Sequence, residues 1–398
     1  MRYVPRSLEG QLRAAVRGFP ALIITGPRRA GKTTVLQRTF PGASYRLLED
    51  PEVVSRVRED PRAFLAELPR PAILDEIQNA PEILNWVRAE IDRVPRRRGD
   101  WLLSGSQEAP LMRGVTESMA GRAAVFQLLP LSLSETPKVS LLNGGFPEVL
   151  ARPSLRTAWY RSYVQTYLER DVRAVTAVRD LATFRRFLSI LATRCGQLLN
   201  KTELAAPLGL SVPTITQWLG VLETTAQVLL VPPYFENLGK RLVKSPRLYW
   251  MDSGLACFLL GIDSTADLER SPFLGPVFEG FVAAEIAKAQ SAAGRQRELY
   301  HFRDQYGLEV DFVVPLGGAR LLLLEAKAAT TLRPRFGEAL VRVASLMKGR
   351  RIESYVVHRR ASVAPGLSAL RPGVRALPVE DLPKLFALRT ARGAQKSS

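Results

Sequence analysis

Cysteine, long apolar runs and acidic side chains are all scarce in this sequence. Cys195 and Cys257 are the only two cysteines in 398 residues. They are too few for a disulfide framework and lack metal-ligand spacing, so both read as plain core residues. No stretch of eighteen or more apolar residues occurs, which argues against a membrane-spanning helix. Arginines break the opening MRYVPRSLEGQLRAAVRGF before a signal-peptide core could develop, so a cytoplasmic protein without a membrane partner is expected. Acid is outnumbered, 38 Asp and Glu against 56 Lys and Arg, for a net charge of +18. Such a balance attracts polyanions and makes nucleic acid the leading partner, although an arginine-rich proteome would leave the same imbalance.

What is present is ordinary for a folded protein: 46% apolar and 24% charged residues. The length suits two or three domains.

Residues 21–36, ALIITGPRRAGKTTVL, run from an apolar stretch through a glycine loop into a helix-forming segment. Gly26, Pro27, Arg28, Arg29, Ala30, Gly31, Lys32 and Thr33 match G-x-x-x-x-G-K-[ST], with Thr34 following. In that pattern glycines let backbone N–H groups face phosphates, the lysine reaches the β and γ phosphates, and the threonine hydroxyl binds Mg²⁺. ATP and Mg²⁺ are the expected cofactors. A second apolar run, AILDEIQ, ends in two acids. Asp75 suits the magnesium shell and Glu76 the general base that polarises the attacking water.

A third run, WLLSGSQ, brings Ser104 and Ser106 to a strand end, where a hydroxyl could sense the γ-phosphate or merely close a Ser-Gly turn. Arg122 precedes another apolar run. It reads either as a finger reaching a neighbouring subunit's γ-phosphate or as a surface arginine.

The segments GPRRAGKTT, ILDEIQ, LLSGSQ, SMAGRAAVFQLLPLSLSE and GGFPEVL occur in this order. Together with YVQTYLERDV, KSPRLYWMDSGLA, FEGFVAAEI and LEVDFVV followed by LEAK, they resemble the prokaryotic AAA+ ATPases that carry a C-terminal restriction-endonuclease-like domain of unknown function. Ala30 and Ala326 stand where that family would place larger apolar residues. The resemblance implies an α/β protein with a RecA-like P-loop core, a small helical lid and subunits associated around the nucleotide in a homo-oligomer such as a hexameric ring.

Residues 154–195 are rich in helix formers, and Trp159, Tyr163 and Tyr167 at i, i+4, i+8 give an apolar face suited to a lid. Arg170, Asp171 and Arg173 read as a nucleotide contact or an exposed ion-pair network. The segment NKTELAAPLGLSVPTITQWLGVLE has helix-turn-helix form, with Thr202 expected to cap the first helix, Gly209 to break it and Ser211 to cap the second. Ile215, Trp218, Leu219 and Leu222 then face the core. Thr214, Thr216 and Gln217 are left outward, where recognition helices meet base edges. Two strands around Asn237 and Gly239 complete a wing, and Lys240, Arg241, Lys244 and Arg247 read as a basic stretch for phosphates. Winged helices also bind proteins.

Beyond Pro272 come a helix and strands. Asp311, Glu325 and Lys327 form a D…ExK arrangement, with Glu279 on the preceding helix as an additional acid, a set that holds Mg²⁺ in restriction-endonuclease-like nucleases and persists in non-catalytic relatives.

The expected organisation is 1–137 ATPase core, 138–195 helical lid, 196–262 winged helix, 263–388 restriction-endonuclease-like domain and 389–398 flexible tail. The expected function is ATP hydrolysis coupled to DNA remodelling or translocation. The alternatives are an ATP-gated switch acting on the nuclease-like domain or a partner, and a non-enzymatic nucleotide-binding scaffold, which an intact Lys32, Asp75 and Glu76 set disfavours.

Overall fold

The computed structural model describes residues 3–105, 119–168, 181–234, 244–360 and 369–386. Three apolar runs become strands buried along their whole length: β1 (Ala21–Thr25), β3 (Ala72–Asp75) and β4 (Trp101–Ser104). Continuous Ile and Leu without alternation suits parallel strands covered on both faces. With β2 (Ser44–Leu47) and β5 (Ala123–Gln127) they form a parallel sheet of order β2-β3-β4-β1-β5. Helices cover both faces. Leu12, Val35 and Leu36 pack on one, and Phe64, Leu84 and Val87 on the other. Because β4 lies between β1 and β3, the loop after β1 and the acids after β3 flank a common crevice at the carboxyl ends of the strands.

After β5 come the helices Pro147–Ala151, Arg156–Tyr163 and Leu181–Thr193. Next is the pair Lys201–Ala205 and Val212–Thr224, then an antiparallel ribbon of β6 (Val228–Val231) and β7 (Arg247–Trp250). The second helix of the pair buries Ile215, Trp218, Leu219 and Leu222, with Ser211 accepting from the Thr214 N–H. The first is capped by Asn200, whose side chain accepts from the N–H groups of Thr202 and Glu203. Thr202, expected as the cap, lies inside the helix, because an asparagine two residues earlier reaches the same orphan donors.

The helices Ser253–Leu259, Thr265–Arg270 and Leu274–Ala292 lead into a six-stranded mixed sheet of order β12-β13-β11-β10-β9-β8. Its strands are β8 (Tyr300–Arg303), β9 (Glu309–Pro315), β10 (Arg320–Lys327), β11 (Arg351–His358), β12 (Ala369–Arg371) and β13 (Val374–Pro378). One hydrophobic cluster extends from Leu129 to Leu382, taking in the helix pair, the ribbon, the long helix Leu274–Ala292 and one face of this sheet. The long helix is apolar nearly all round and is correspondingly encased. Among the described residues no helix is long and apolar enough to cross a membrane.

Asp252 ties this second core together. It is 3% exposed and accepts from the Gly145 N–H (2.7 Å), the Tyr160 hydroxyl (2.7 Å) and the Leu255 N–H (2.9 Å). A carboxylate so enclosed needs all three donors, and the donors need it. Asp252→Ala is therefore expected to cost about 3 kcal/mol or more of folding stability by stranding buried donors, measured by urea denaturation. A loss below about 1 kcal/mol would show that this node is dispensable.

Candidate nucleotide-binding site

The loop after β1 is built for close backbone approach. Gly26 sits at φ 142°, and a side chain there would meet the Leu128 carbonyl oxygen at 2.1 Å. Gly31, at φ 96°, begins the helix Lys32–Thr39 without any side-chain cap, leaving the first N–H groups of that helix to face the loop. Arg29 also adopts positive φ, and its guanidinium pairs with Glu148 at 3.2 Å. Buried Arg6 secures the loop from behind, donating to the carbonyls of Ala30 (2.9 Å) and Leu129 (2.6 Å). Lys32 is buried, and its Nζ donates to the carbonyls of Gly26 (3.1 Å) and Pro27 (3.2 Å), folded over its own loop.

Asp75 is the meeting point. Its Oδ2 accepts from the hydroxyls of Thr33 (2.6 Å) and Tyr45 (2.9 Å), and its Oδ1 from the Ser104 hydroxyl and the Glu76 N–H (3.1 Å). Burial, with Asp75 and Glu76 adding to it, pushes the Tyr45 hydroxyl well above its ordinary pKa, so it stays a donor. Glu76 follows in the left-handed region at φ 57°, and the Gln78 amide donates to its carboxylate. Lys32, Thr33, Tyr45, Asp75 and Glu76 line a cleft of about 920 Å³ together with Arg28, Thr34, Trp159 and Tyr163. Trp159 and Tyr163 are stacked with centroids 5.0 Å apart. The side chain of Tyr167, expected on the same face, lies outside the described residues, as do Arg170, Asp171 and Arg173.

An uncapped helix N-terminus beside a lysine suits a phosphate chain. The adjacent threonine hydroxyl and carboxylate are the hard oxygen donors that a magnesium ion prefers. Ser104 is fully buried and turned toward Asp75, so in this conformation it holds the carboxylate in place of facing the cleft. Ser106 lies outside the described residues. Arg122 precedes β5, one strand length from the loop, and forks onto Asp92 at 2.7 and 2.9 Å.

A second charged pocket, of about 430 Å³, gathers Glu279, Asp311, Glu325 and Lys327 between the ribbon and the six-stranded sheet. β9 and β10 pair antiparallel and bring Asp311 beside the Glu325 segment, where the Ala326 N–H donates to Asp311 (2.9 Å). At the centre is Arg247. Expected as part of an exposed phosphate-binding stretch, it is instead 4% exposed and donates to Glu279 (2.8 Å), Asp311 (3.1 Å) and Glu309 (2.8 Å). It turns inward because acids distant in sequence surround the start of β7. Burial, reinforced by the neighbouring Asp311 carboxylate, pushes the carboxyls of Glu279 and Glu325 upward. Among the described residues no group of three or more His, Cys, Asp or Glu side chains is arranged to hold a metal ion. The expected cation site is thus one pocket in space but not an open set of ligands.

Thr216 and Gln217 are exposed, Thr214 is half-buried and Lys244 is exposed, while Lys240 and Arg241 lie outside the described residues. Sequence reading missed Tyr45, Gln78 and Arg6. Tyr45 and Arg6 belong to no local motif, whereas Gln78 closes the ILDEIQ run, two residues beyond Glu76.

The parallel sheet, glycine loop and acid-tipped neighbouring strand define a P-loop ATPase of the AAA type, and the AAA domain family matches residues 18–136. Two families described only as domains of unknown function, DUF8612 and DUF4143, match residues 135–266 and 274–381. The uncharacterized protein Rv2008c of Mycobacterium tuberculosis is 34% identical over 322 residues, 79% of this chain and 71% of the relative. Mb2031c of Mycobacterium bovis matches to the same extent. The chain belongs to the family of these mycobacterial proteins. Among solved structures, the Walker-type ATPase PABY2304 of Pyrococcus abyssi is 14% identical over 63% of this chain and 94% of its own, with a TM-score of 0.38. The RuvB Holliday junction branch migration motor of Thermotoga maritima is 15% identical over 57% and 90%, with a TM-score of 0.32.

Removing the Tyr45 hydroxyl deletes one hydrogen bond to a charged group, worth about 1.5–3 kcal/mol. Tyr45→Phe is expected to lower ATP turnover about tenfold while fluorescent-ADP binding stays within about twofold. Unchanged turnover would mean that Tyr45 does not position Asp75.

Proposed function

We propose that this chain is an ATP-hydrolysing AAA-type ATPase that engages nucleic acid and couples turnover to remodelling it or moving along it. The observation that carries the ATPase half is the convergence of Thr33, Tyr45, Ser104 and the Glu76 N–H on Asp75 beside the Lys32 loop. In this reading Lys32 and the loop N–H groups bind the β and γ phosphates, and Thr33 and Asp75 hold Mg²⁺. Glu76 accepts the proton of the attacking water. The ion, when bound, neutralises charge on the phosphates. Of the two γ-phosphate sensor candidates, Ser104 is turned onto Asp75 and Ser106 is left for that role. Arg122 acts on a neighbouring subunit of a homo-oligomer, a role supported by its distance from the loop of its own subunit.

Lys32→Ala is expected to abolish nucleotide binding, whereas Glu76→Gln should bind ATP and fail to turn it over. Arg122→Ala should bind ATP and hydrolyse it poorly, and mixing it with Lys32→Ala subunits should recover activity. Wild-type turnover in Glu76→Gln would displace the assigned base, and no recovery on mixing would remove the trans finger.

The nucleic-acid half is supported by the +18 charge and by a helix pair followed by a ribbon, the order of elements in a winged helix. Thr214, Thr216 and Gln217 at the second helix face bases, and Lys240, Arg241 and Lys244 face phosphates. The six-stranded sheet, with Asp311 on β9 and Glu325 and Lys327 on β10, supports a restriction-endonuclease-like reading of the C-terminal region. On this basis Lys240, Arg241 and Lys244 reversed together should weaken DNA binding for all sequences alike. They should also flatten the log-affinity versus log-salt slope by about two to three units, read by fluorescence anisotropy. An unchanged slope would move the DNA site elsewhere.

A second reading, an ATP-gated switch, is favoured by one observation. Tyr160 belongs to the helix whose Trp159 and Tyr163 line the nucleotide cleft, and it donates to Asp252, two residues beyond the strand bearing Arg247. Nucleotide retained without fast turnover would favour it over the first reading.

A further inference from the structure

The pocket between the ribbon and the six-stranded sheet already contains a cation, supplied by the chain itself. Arg247 Nη1 donates to Glu279 Oε1 at 2.8 Å and to Asp311 Oδ1 at 3.1 Å, and Nη2 to Glu309 Oε2 at 2.8 Å. Each acid is fixed by a further donor: Glu279 by the Tyr249 hydroxyl, Asp311 by the Ala326 N–H and Glu309 by Arg303. Glu325 is paired with Lys327 at 2.6 Å through one oxygen, and its other oxygen, sealed from solvent, has no hydrogen bond. Arg247 Nε is likewise buried without a partner.

Two physical constraints act on this arrangement. A guanidinium is a planar fork that meets carboxylates at hydrogen-bond length, each prong along its own direction. A hard divalent cation instead draws several oxygens onto one point at about 2.0–2.6 Å. The oxygens of Glu279 and Asp311 that now accept from Nη1 cannot serve both at once. Without either, the buried carboxylates are left unpaired, which is strongly destabilising. The D…ExK pattern in the sequence therefore does not describe an open metal site in this chain.

We propose that Arg247 is the resident cation of this pocket, and that a divalent cation enters only when Arg247 leaves, the two competing for Glu279 and Asp311. The strand that carries Arg247 belongs to the segment matched by one family and the acids to the segment matched by another. Seating of the arginine therefore reports how the two regions are docked.

The test counts bound Mn²⁺ by electron paramagnetic resonance on the full-length, nucleotide-free protein. Wild type is expected to bind no Mn²⁺ that depends on Asp311. Arg247→Gln should gain about one equivalent, lost again when Asp311→Asn is added. Mn²⁺ should also raise the melting temperature of Arg247→Gln by several degrees and leave that of wild type unmoved. If Arg247→Gln does not fold alone, refolding it in Mn²⁺ should recover soluble protein, because the ion replaces the lost charge. Wild type binding an Asp311-dependent Mn²⁺ would overturn the proposal. So would an Arg247→Gln protein that gains neither bound ion nor Mn²⁺-dependent stability.

Discussion

Glu285 and Lys288, one turn apart on the helix Leu274–Ala292, form an ion pair of 2.9 Å with side chains at most 5% exposed. Both also reach out of the helix. Glu285 accepts from the Leu133 N–H at 2.7 Å and Lys288 donates to the Leu131 carbonyl at 3.1 Å. These bonds fasten the chain leaving β5 to the longest helix of the C-terminal half. That same exit segment crowds Gly26 with the Leu128 carbonyl and accepts from Arg6 at Leu129. The phosphate-binding loop is thus held from behind by a segment that the C-terminal half anchors. Removing one partner of such a buried pair leaves the other charge unpaired, so the arrangement persists as a unit or not at all.

The long helix reaches the other charged centre as well. Near its start Glu279 enters the pocket with Arg247, while near its end Ser291 donates to the Gln127 carbonyl at the close of β5. One rigid element therefore contacts both the edge of the ATPase sheet and the carboxylate pocket. A second connection runs through Asp252, joined to the helix Arg156–Tyr163 by Tyr160 and to β7 by sequence. Both connections pass through buried polar groups, whose hydrogen bonds are directional. A displacement at one end is met by loss of defined bonds more than by gradual yielding.

How much of this was legible in the sequence follows from where the interacting residues sit. The loop and the Lys32 helix are contiguous, and Asp75 ends an apolar run on a neighbouring strand, so pattern and spacing were enough. The inward face Ile215, Trp218, Leu219 and Leu222 was equally local, being one helix period. Asn200 was missed as a cap because Thr202 competes for that role and only geometry chooses between residues two apart. Arg247 was misread for a deeper reason. Its acids lie 32, 62 and 64 positions further along, and the local sequence KSPRLYW shows a basic stretch with no acid. Charge pattern reports neighbours in sequence, whereas a buried guanidinium is defined by neighbours in space.

The two acidic centres treat their carboxylates differently, and the contrast shows what each is prepared to do. Asp75 receives three hydroxyls and a backbone N–H, donors that orient its two oxygens without adding a charge. Such a carboxylate is positioned for a cation that arrives with its ligand, and the uncapped helix and folded-back Lys32 beside it are positioned for the anion that ligand carries. Glu279 and Asp311 instead receive a guanidinium, which neutralises as it orients. An incoming ion at the first centre finds prepared ligands, but at the second it must displace a covalently tethered competitor whose local concentration does not dilute away. The same residue types, aspartate and glutamate, thus give a site open to exchange in one half of the molecule and an internally satisfied one in the other. What separates them is a single arginine on the ribbon.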